Sequence, residues 1–332
     1  MRGRRSLRLA AVAAGLVISV VFAYVAVRDV DFGRFRDALV DSEYAWLIPA
    51  LAVLAVGVLL RAVRWRLLFS RDTRPPLGPT TRALLVGTFF NNVLPARAGE
   101  AIRVLVLHRE AGTSRAEALA TAVTERTYDV IALLVLLFAA LPWLPEVTWV
   151  RRAAVLAIVV AIGLAAMVLV LARWRERPLR FLLRPLSRLP GFSAEQAEHA
   201  ASNLLVGLAA VRRAEVAIPA LLLSFGAILV IAWSFWLVML AFDLGLGFGA
   251  ALLVMVATNL AMLIPSSPAA LGVFEAATVV ALGAYSVDDS HALSYAVVLH
   301  ALNVLPFILV GLVLVQGYGV QAWREPEARR PA

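Results

Sequence analysis

Residues 89–103 read FFNNVLPARAGEAIR, and within them Arg97, Glu100 and Arg103 recur every third position. Once Gly99 releases the chain into helix, that spacing puts the three side chains on one face. Farther on, TAVTERTYDVIALLVLL places Glu125, Arg126 and Asp129 at the head of an apolar run, with Glu125 and Asp129 four apart and facing the same way. Guanidinium groups beside carboxylates suit anion recognition: arginine grips a phosphate as a fork of donors while a neighbouring acid balances its charge. The alternative is structural, with Glu125 and Arg126 as an ion pair locking helix ends and Arg97, Glu100 and Arg103 as a self-paired cluster. Both fit the spacing. A charge at the centre of a bilayer costs about 2.5 to 10 kcal/mol, so in either case these groups should be paired or wetted.

A second stretch echoes the first. NLAMLIPSSPAALGVFE at 259–275 runs asparagine, proline, glycine, glutamate in the same order as NNVLPARAGE at 91–100. Pro95 and Gly99 break the first segment; Pro265, Pro268 and Gly272 break the second. Glu275 is the lone acid of its segment and reads as a counter-charge or proton carrier, or as a buried hydrogen-bonded acid. Asn92 and Asn259 either cap broken helix ends or join the polar site. His300 and Asn303, in VVLHALNVLPF, are polar within an apolar run. The bland role for such a histidine is a hydrogen-bonded packing residue. Arg61 and Arg64 are expected to snorkel to headgroups at the end of a span.

The elements that carry these residues are membrane helices. The chain has 332 residues, 62% hydrophobic and only 16% charged, with a mean hydropathy of +0.85. Soluble domains average about 45–50% apolar and about 25% charged. Apolar stretches near 7–27, 46–62, 119–141, 152–172, 217–242 and 291–317 each reach the roughly 20 residues that span a bilayer. The first follows RGRRSLR but exceeds the ~7–15 residues of a signal core, so it reads as a retained anchor. Residues 83–107 and 249–286 are apolar but interrupted. The halves of 83–107 are too short to span and should enter and return on one side. For 249–286 a tight pair of short spans is the alternative.

Arginine placement sets the orientation. Arginines crowd 1–8, 61–82, 108–118, 173–215 and 324–332, and are sparse in 28–45 and 142–151. That bias puts both termini in the cytoplasm if the first broken segment enters from inside and the second from outside. The net charge of +9 is then topological, with anionic headgroups rather than nucleic acid as its contacts. The expected architecture is all-α and polytopic. It has about six full transmembrane helices plus two broken or re-entrant hairpins related as inverted repeats, in a single domain over 1–323. Residues 173–216 form a cytoplasmic, interfacial connection, and 324–332 a short tail. Inverted broken helices are a recurrent transporter design, because backbone unwound at depth must line an enclosed cavity.

No cysteine is present, and no GxSxG, HExxH, P-loop or histidine cluster occurs. The chain is therefore expected to need no metal or cofactor, to hydrolyse no ATP and not to be an enzyme.

FFNNVLPARAGEAIR, TERTYD and IPSSPAALGVFE together resemble the transmembrane region of lysylphosphatidylglycerol synthases, a family that also occurs as stand-alone flippase-like membrane proteins. The resemblance covers roughly residues 7–320. Its more specific elements are P-x-R-x-G-E at 95–100 and E-R-x-x-D at 125–129. The chain departs from it at Ala269, where the family more often shows glycine after proline. The resemblance implies a multi-pass protein of the inner or plasma membrane that moves lipids between leaflets. Aminoacyl transfer is not carried over, because the sequence ends in the short tail WREPEARRPA. The substrate would be an anionic or aminoacylated phospholipid or a polyprenyl-phosphate-linked sugar, held by Arg97 and Arg103 and balanced by Glu100, Glu125, Asp129 and Glu275. A scaffold role in an envelope pathway and a lipid-linked transferase are the competing readings. A homo-oligomer and envelope-pathway enzymes are candidate partners.

Overall fold

The computed structural model describes residues 2–94, 97–140, 214–262 and 266–324. Pro95, Pro265, the expected span at 152–172 and nearly all of the 173–216 connection lie outside the described residues. These form ten α-helices and two short 3-10 turns, with no strand among them. The helices are α1 Arg2–Val27, α2 Phe32–Val40, α3 Leu47–Leu67, α4 Leu77–Val93, α5 Gly99–Ala111, α6 Arg115–Ala140, α7 Ala214–Ala241, α8 Phe248–Ala261, α9 Val273–Gly283 and α10 Asp289–Arg324.

Among the described residues, three stretches are long and apolar enough to cross a membrane: Tyr44–Leu67, Glu215–Ala241 and Asp289–Gly317. They match three of the six expected spans, while 7–27 and 119–141 fall within α1 and α6. Large apolar side chains on these helices point outward, among them Ile48, Leu222 and Val313. In water such exposure would be costly; in hydrocarbon it is the ordinary state of a helix apolar all round.

α3 and α7 run antiparallel along their length. The Glu43 amide donates to the Ala241 carbonyl at one end, and Arg71 meets Glu215 at the other. Between them Gly57 packs against Ile231, and the Ser234 hydroxyl donates to the Ala50 carbonyl. This pair gives the fold its axis. Two buried clusters flank it. One joins α7 to α8, α9 and α10 around Met239, Met255, Leu282 and Leu299; the other joins α3 to α4, α5 and α6 around Trp65, Phe69, Leu84 and Leu107.

The two broken segments approach each other from opposite ends of α3. α4 and α5 have 17 and 13 residues, about 26 and 20 Å at ~1.5 Å each, short of ~30 Å of hydrocarbon. Their outer ends are tied by Arg82 and Glu110 at 2.7 Å, beside the end of α3, where the Ser70 amide donates to Glu117. α8 and α9 have 14 and 11 residues, shorter still. α8 follows the end of α7, and α9 leads into the start of α10, which the Ser294 hydroxyl ties to the Phe35 carbonyl of α2. The inner ends meet: Arg97 Nη2 donates to the Met262 carbonyl at 2.7 Å.

Backbone conformation explains both breaks. Arg97 sits at φ 53°, in the left-handed region, immediately before α5 begins at Gly99. In the second segment Pro268 opens a 3-10 turn in which Ala269 and Ala270 have φ of 55° and 58°, and Gly272 at 81° caps α9. Ala269 thus holds, without glycine's freedom, a conformation that L side chains resist. Gly99 is required by close approach. A Cβ there would overlap the Gly87 carbonyl and crowd Asn91, so α4 and α5 touch backbone to backbone.

That contact makes a prediction. Gly99→Ala should destabilise the protein by about 1–3 kcal/mol, the cost of overpacking, read as a lowered midpoint in thermal unfolding followed by circular dichroism in detergent. Gly283→Ala, which meets nothing within 4 Å, should leave the midpoint unchanged.

Candidate functional site

Arg64 is the centre of the polar interior. Its guanidinium is 0% exposed and reaches three partners from two other helices. Nη2 donates to Glu125 Oε1 at 2.9 Å and to Asp129 Oδ2 at 3.3 Å, and Nη1 donates to Asp129 Oδ1 and to the Ser224 hydroxyl at 2.7 Å. Arg103 of α5 approaches Glu125 from the other side, Nη1 to Oε2 at 3.1 Å, and pairs with Glu100 at 2.7 Å. Arg126 closes the circuit, bonding Glu100 and lying 3.7 Å from Asp129. Trp65 supports the network from below. Its indole N–H donates to Thr121 at 3.1 Å, and the Arg103 guanidinium lies 4.7 Å from its ring centroid, a cation–π contact.

The elements dictate this convergence. Glu125 and Asp129 lie one turn apart on α6, as their spacing requires, and Glu100 and Arg103 pair within α5. Glu125 is ten residues into α6, about 15 Å from its first residue, so the cluster lies deep along the helix. At that depth a lone charge would be strongly disfavoured. Here each carboxylate has at least two arginine contacts.

A cavity of about 50 Å³ opens over the network, lined by Arg61, Asn91, Glu100, Arg103, Glu125, Arg126 and Asp129, with Phe307 of α10 on the apolar side. A water needs about 10–15 Å³ by the same measure, so the space holds a few waters and no lipid headgroup. Arg61, Arg64, Arg103 and Arg126 face Glu100, Glu125 and Asp129, leaving one positive charge in excess. Arg61 makes no ion pair with a carboxylate among the described residues. Arg103 Nε and Asn91 Oδ1 are buried with no partner among them either. The network thus combines surplus positive charge with unpartnered hydrogen-bonding atoms beside the cavity.

The remaining candidates are placed as follows. Arg97 is exposed and turned away from Glu100 and Arg103 toward Met262, because its left-handed backbone precedes the helix that would align it with them. Glu275 and His300 form a separate pair at 2.6 Å in the second broken segment. Asn259 and Asn303 donate back to the Met255 and Leu299 carbonyls of their own helices, both at 2.8 Å. Asn92 has a buried Nδ2 with no partner among the described residues. Gly99, Pro268 and Gly272 all sit at the breaks.

The expectation that Arg64 snorkels to headgroups is corrected: it is fully buried. The apolar run does not stop at Leu60 but resumes with Trp65, Leu67, Leu68 and Phe69, and that continuation was the available signal. Ser224, one of two serines in an otherwise apolar run, had none.

Comparison with known proteins bears on this site. A family described as the lysylphosphatidylglycerol synthase TM region matches residues 12–311. A glycosyltransferase named AglD, from Haloferax volcanii, is 27% identical over 130 residues, which are 39% of this chain and 21% of that protein. The chain thus spans about a fifth of the length of this relative. The match corrects the expectation that the chain is not an enzyme, since a protein bearing an enzyme's name shares the segment, although weakly.

The network predicts a graded response at Arg64. Arg64→Leu strips Glu125 and Asp129 each of one of their two arginines and should cost about 3–5 kcal/mol, whereas Arg64→Lys keeps the charge but loses the bidentate fork and should fall between. Thermal unfolding in detergent checks the order; a leucine variant as stable as the parent contradicts it.

Proposed function

Because the chain belongs to the lysylphosphatidylglycerol synthase transmembrane family, and because its polar interior carries surplus positive charge, we propose that it binds the anionic headgroup of a membrane lipid and passes it between leaflets. The chain is an integral membrane protein with a link to lipid chemistry. The observation that carries the finer reading is the cavity lined by three arginines and three carboxylates, with a fourth arginine, Arg64, buried behind the carboxylates.

In this proposal Arg61, Arg103 and Arg126 receive the phosphate, and Glu100, Glu125 and Asp129 are the intramolecular anions it displaces in part. Substituting one oxyanion for another keeps every guanidinium bonded while the lipid passes, so no bare charge is left at depth. The present cavity excludes a headgroup, so entry requires the two broken segments to part, and the Arg97 bond to the Met262 carbonyl is the contact between them that must open. The segments act as inverted hairpins entering from opposite faces, the arrangement their end contacts support. In this reading both termini lie in the cytoplasm and the membrane is the inner or plasma membrane, an orientation that the arginine-rich connections support. The domain over 1–323 works as one unit, alone or as a homo-oligomer or beside envelope-pathway enzymes.

The match to a glycosyltransferase supports a second reading, in which the membrane segment presents a lipid-linked sugar to transfer chemistry. The same headgroup site serves both.

Arg61→Gln discriminates. It removes a cavity charge that makes no ion pair with a carboxylate among the described residues, so folding should survive. A lost charge-assisted hydrogen bond of about 1.5–3 kcal/mol should slow movement of a fluorescent phosphatidylglycerol across reconstituted vesicles about tenfold or more. An unchanged rate defeats the assignment. Sugar transfer from a lipid-linked donor, with no movement of the phospholipid, favours the second reading.

A further inference from the structure

The second broken segment and α10 share a polar pair that the headgroup site does not use. His300, on α10, is 5% exposed and is stacked on Phe274 with ring centroids 4.5 Å apart. Its Nδ1 lies 2.6 Å from Glu275 Oε1, and its Nε2 lies 2.9 Å from the Ala269 carbonyl oxygen. Glu275 Oε2 accepts the Gly272 amide at 2.7 Å.

The hydrogen count of this pair is fixed by chemistry. A carbonyl oxygen only accepts, so Nε2 must carry a hydrogen. One more hydrogen must lie between Nδ1 and Oε1 to make that contact attractive. Whether it sits on nitrogen or oxygen, the pair holds one proton beyond a neutral imidazole and a carboxylate, and its net charge is zero. Remove that proton and one bond must fail. Either Nδ1 faces the carboxylate lone pair to lone pair, or the remaining hydrogen moves to Nδ1 and Nε2 faces the Ala269 carbonyl unprotonated.

The bond at risk restrains strained backbone. Ala269 and Ala270 are both left-handed. The tip is otherwise held by the Ser267 amide donating to the Ser19 hydroxyl of α1 at 2.8 Å and by Gly272 packed against the Ser19 carbonyl and Ala23. Local strain persists only while its surroundings over-determine it.

We propose that His300 and Glu275 form a proton-binding site that locks the tip of the second broken segment: docked with the proton bound, released once it leaves. The pair is almost surrounded by uncharged groups. α8 and α9 carry no other ionisable side chain, and α7 has only Glu215, in its first turn. α10 contributes Tyr295, whose hydroxyl donates to the Phe235 carbonyl, with Asp289 and His291 at its start. α1 offers Tyr24 among its described side chains. α4 offers Arg82, at its outer end and paired with Glu110, and the facing segment offers Arg97, spent on the Met262 carbonyl. The exchanged proton passes to water at the edges of the pair, whose side chains are 7% and 13% exposed. Unlocking this tip would free the Met262 side of the contact that closes the cavity. That consequence rests on the translocation proposal; the lock itself rests on geometry alone.

Hydrogen exchange with mass spectrometry on the full chain in lipid nanodiscs tests it, reading the peptide over 266–275 at about pH 6 and about pH 9 after correction for intrinsic rates. The Ser267, Ala270 and Gly272 amides, all bonded here, should be protected at the lower pH and lose about tenfold or more of that protection at the higher. Glu275→Gln separates this from ordinary loosening. A glutamine can accept from Gly272 with its oxygen and donate to Nδ1 with its nitrogen, satisfying every partner without a titrating proton. Its tip should stay protected at both pH values, and that of His300→Ala should be open at both. An identical pH response in Glu275→Gln and the parent overturns the proposal, even should His300→Ala fail to fold. A pH-dependent tip in a protein that moves no lipid sinks translocation and leaves the lock standing. Lipid movement with a pH-insensitive tip sinks the lock alone.

Discussion

A guanidinium with no exposed surface must find its counter-charges inside the protein, and Arg64 imposes that condition on the packing around it. Its partners come from α6 and α7, and one of them, Glu125, is shared with Arg103 of α5. Rotating any of these helices by a fraction of a turn would withdraw a carboxylate and leave charge buried alone. Such networks contribute little net stability over an apolar replacement but penalise wrong arrangements heavily. The network therefore specifies which faces of α3, α5, α6 and α7 meet. The cavity above it is the consequence, a place lined by three arginines and three carboxylates, with the buried Arg64 behind them.

The rest of the architecture turns the chain back at two breaks, the first of them at the cavity's edge. Gly87 and Gly99 let α4 and α5 touch so closely that the first segment can reverse direction. The second segment reverses by a different device, a proline followed by two left-handed alanines and a glycine cap, restrained by His300 from α10 and Ser19 from α1. The two reversals are joined by a single described bond, Arg97 to the Met262 carbonyl. Both turns hold left-handed non-glycine residues, Arg97 in the first and Ala269 and Ala270 in the second.

Much of this was legible in the residues because helical periodicity speaks to neighbours within one element. The breaks at 95–99 and 265–272 follow from proline and glycine, and the Glu100–Arg103 and Glu125–Asp129 relationships follow from spacings of three and four. Contacts between elements were harder. Arg64 lies 61 residues from Glu125 and 160 from Ser224, and no local pattern sets the rotation that joins them. Position near the end of an apolar run favoured the lipid surface, and the apolar continuation through Phe69 outweighs it. Arg97 looked like the third member of a helical face, but its left-handed backbone places it before the helix starts and swings it to Met262. The pairing of Glu275 with His300 joins two residues that sequence singled out separately; their backbone partners, the Gly272 amide for Glu275 and the Ala269 carbonyl for His300, are groups that no side-chain pattern could announce.

The chain belongs to the lysylphosphatidylglycerol synthase transmembrane family, and in the proposed function its chemistry centres on an anion held by arginine inside the protein. The most direct test is to purify the protein from its native membrane and identify the retained lipids by mass spectrometry. The account predicts enrichment of a lipid bearing an anionic phosphate headgroup over its share of the surrounding membrane. Retained lipid that merely mirrors the bulk composition would contradict it.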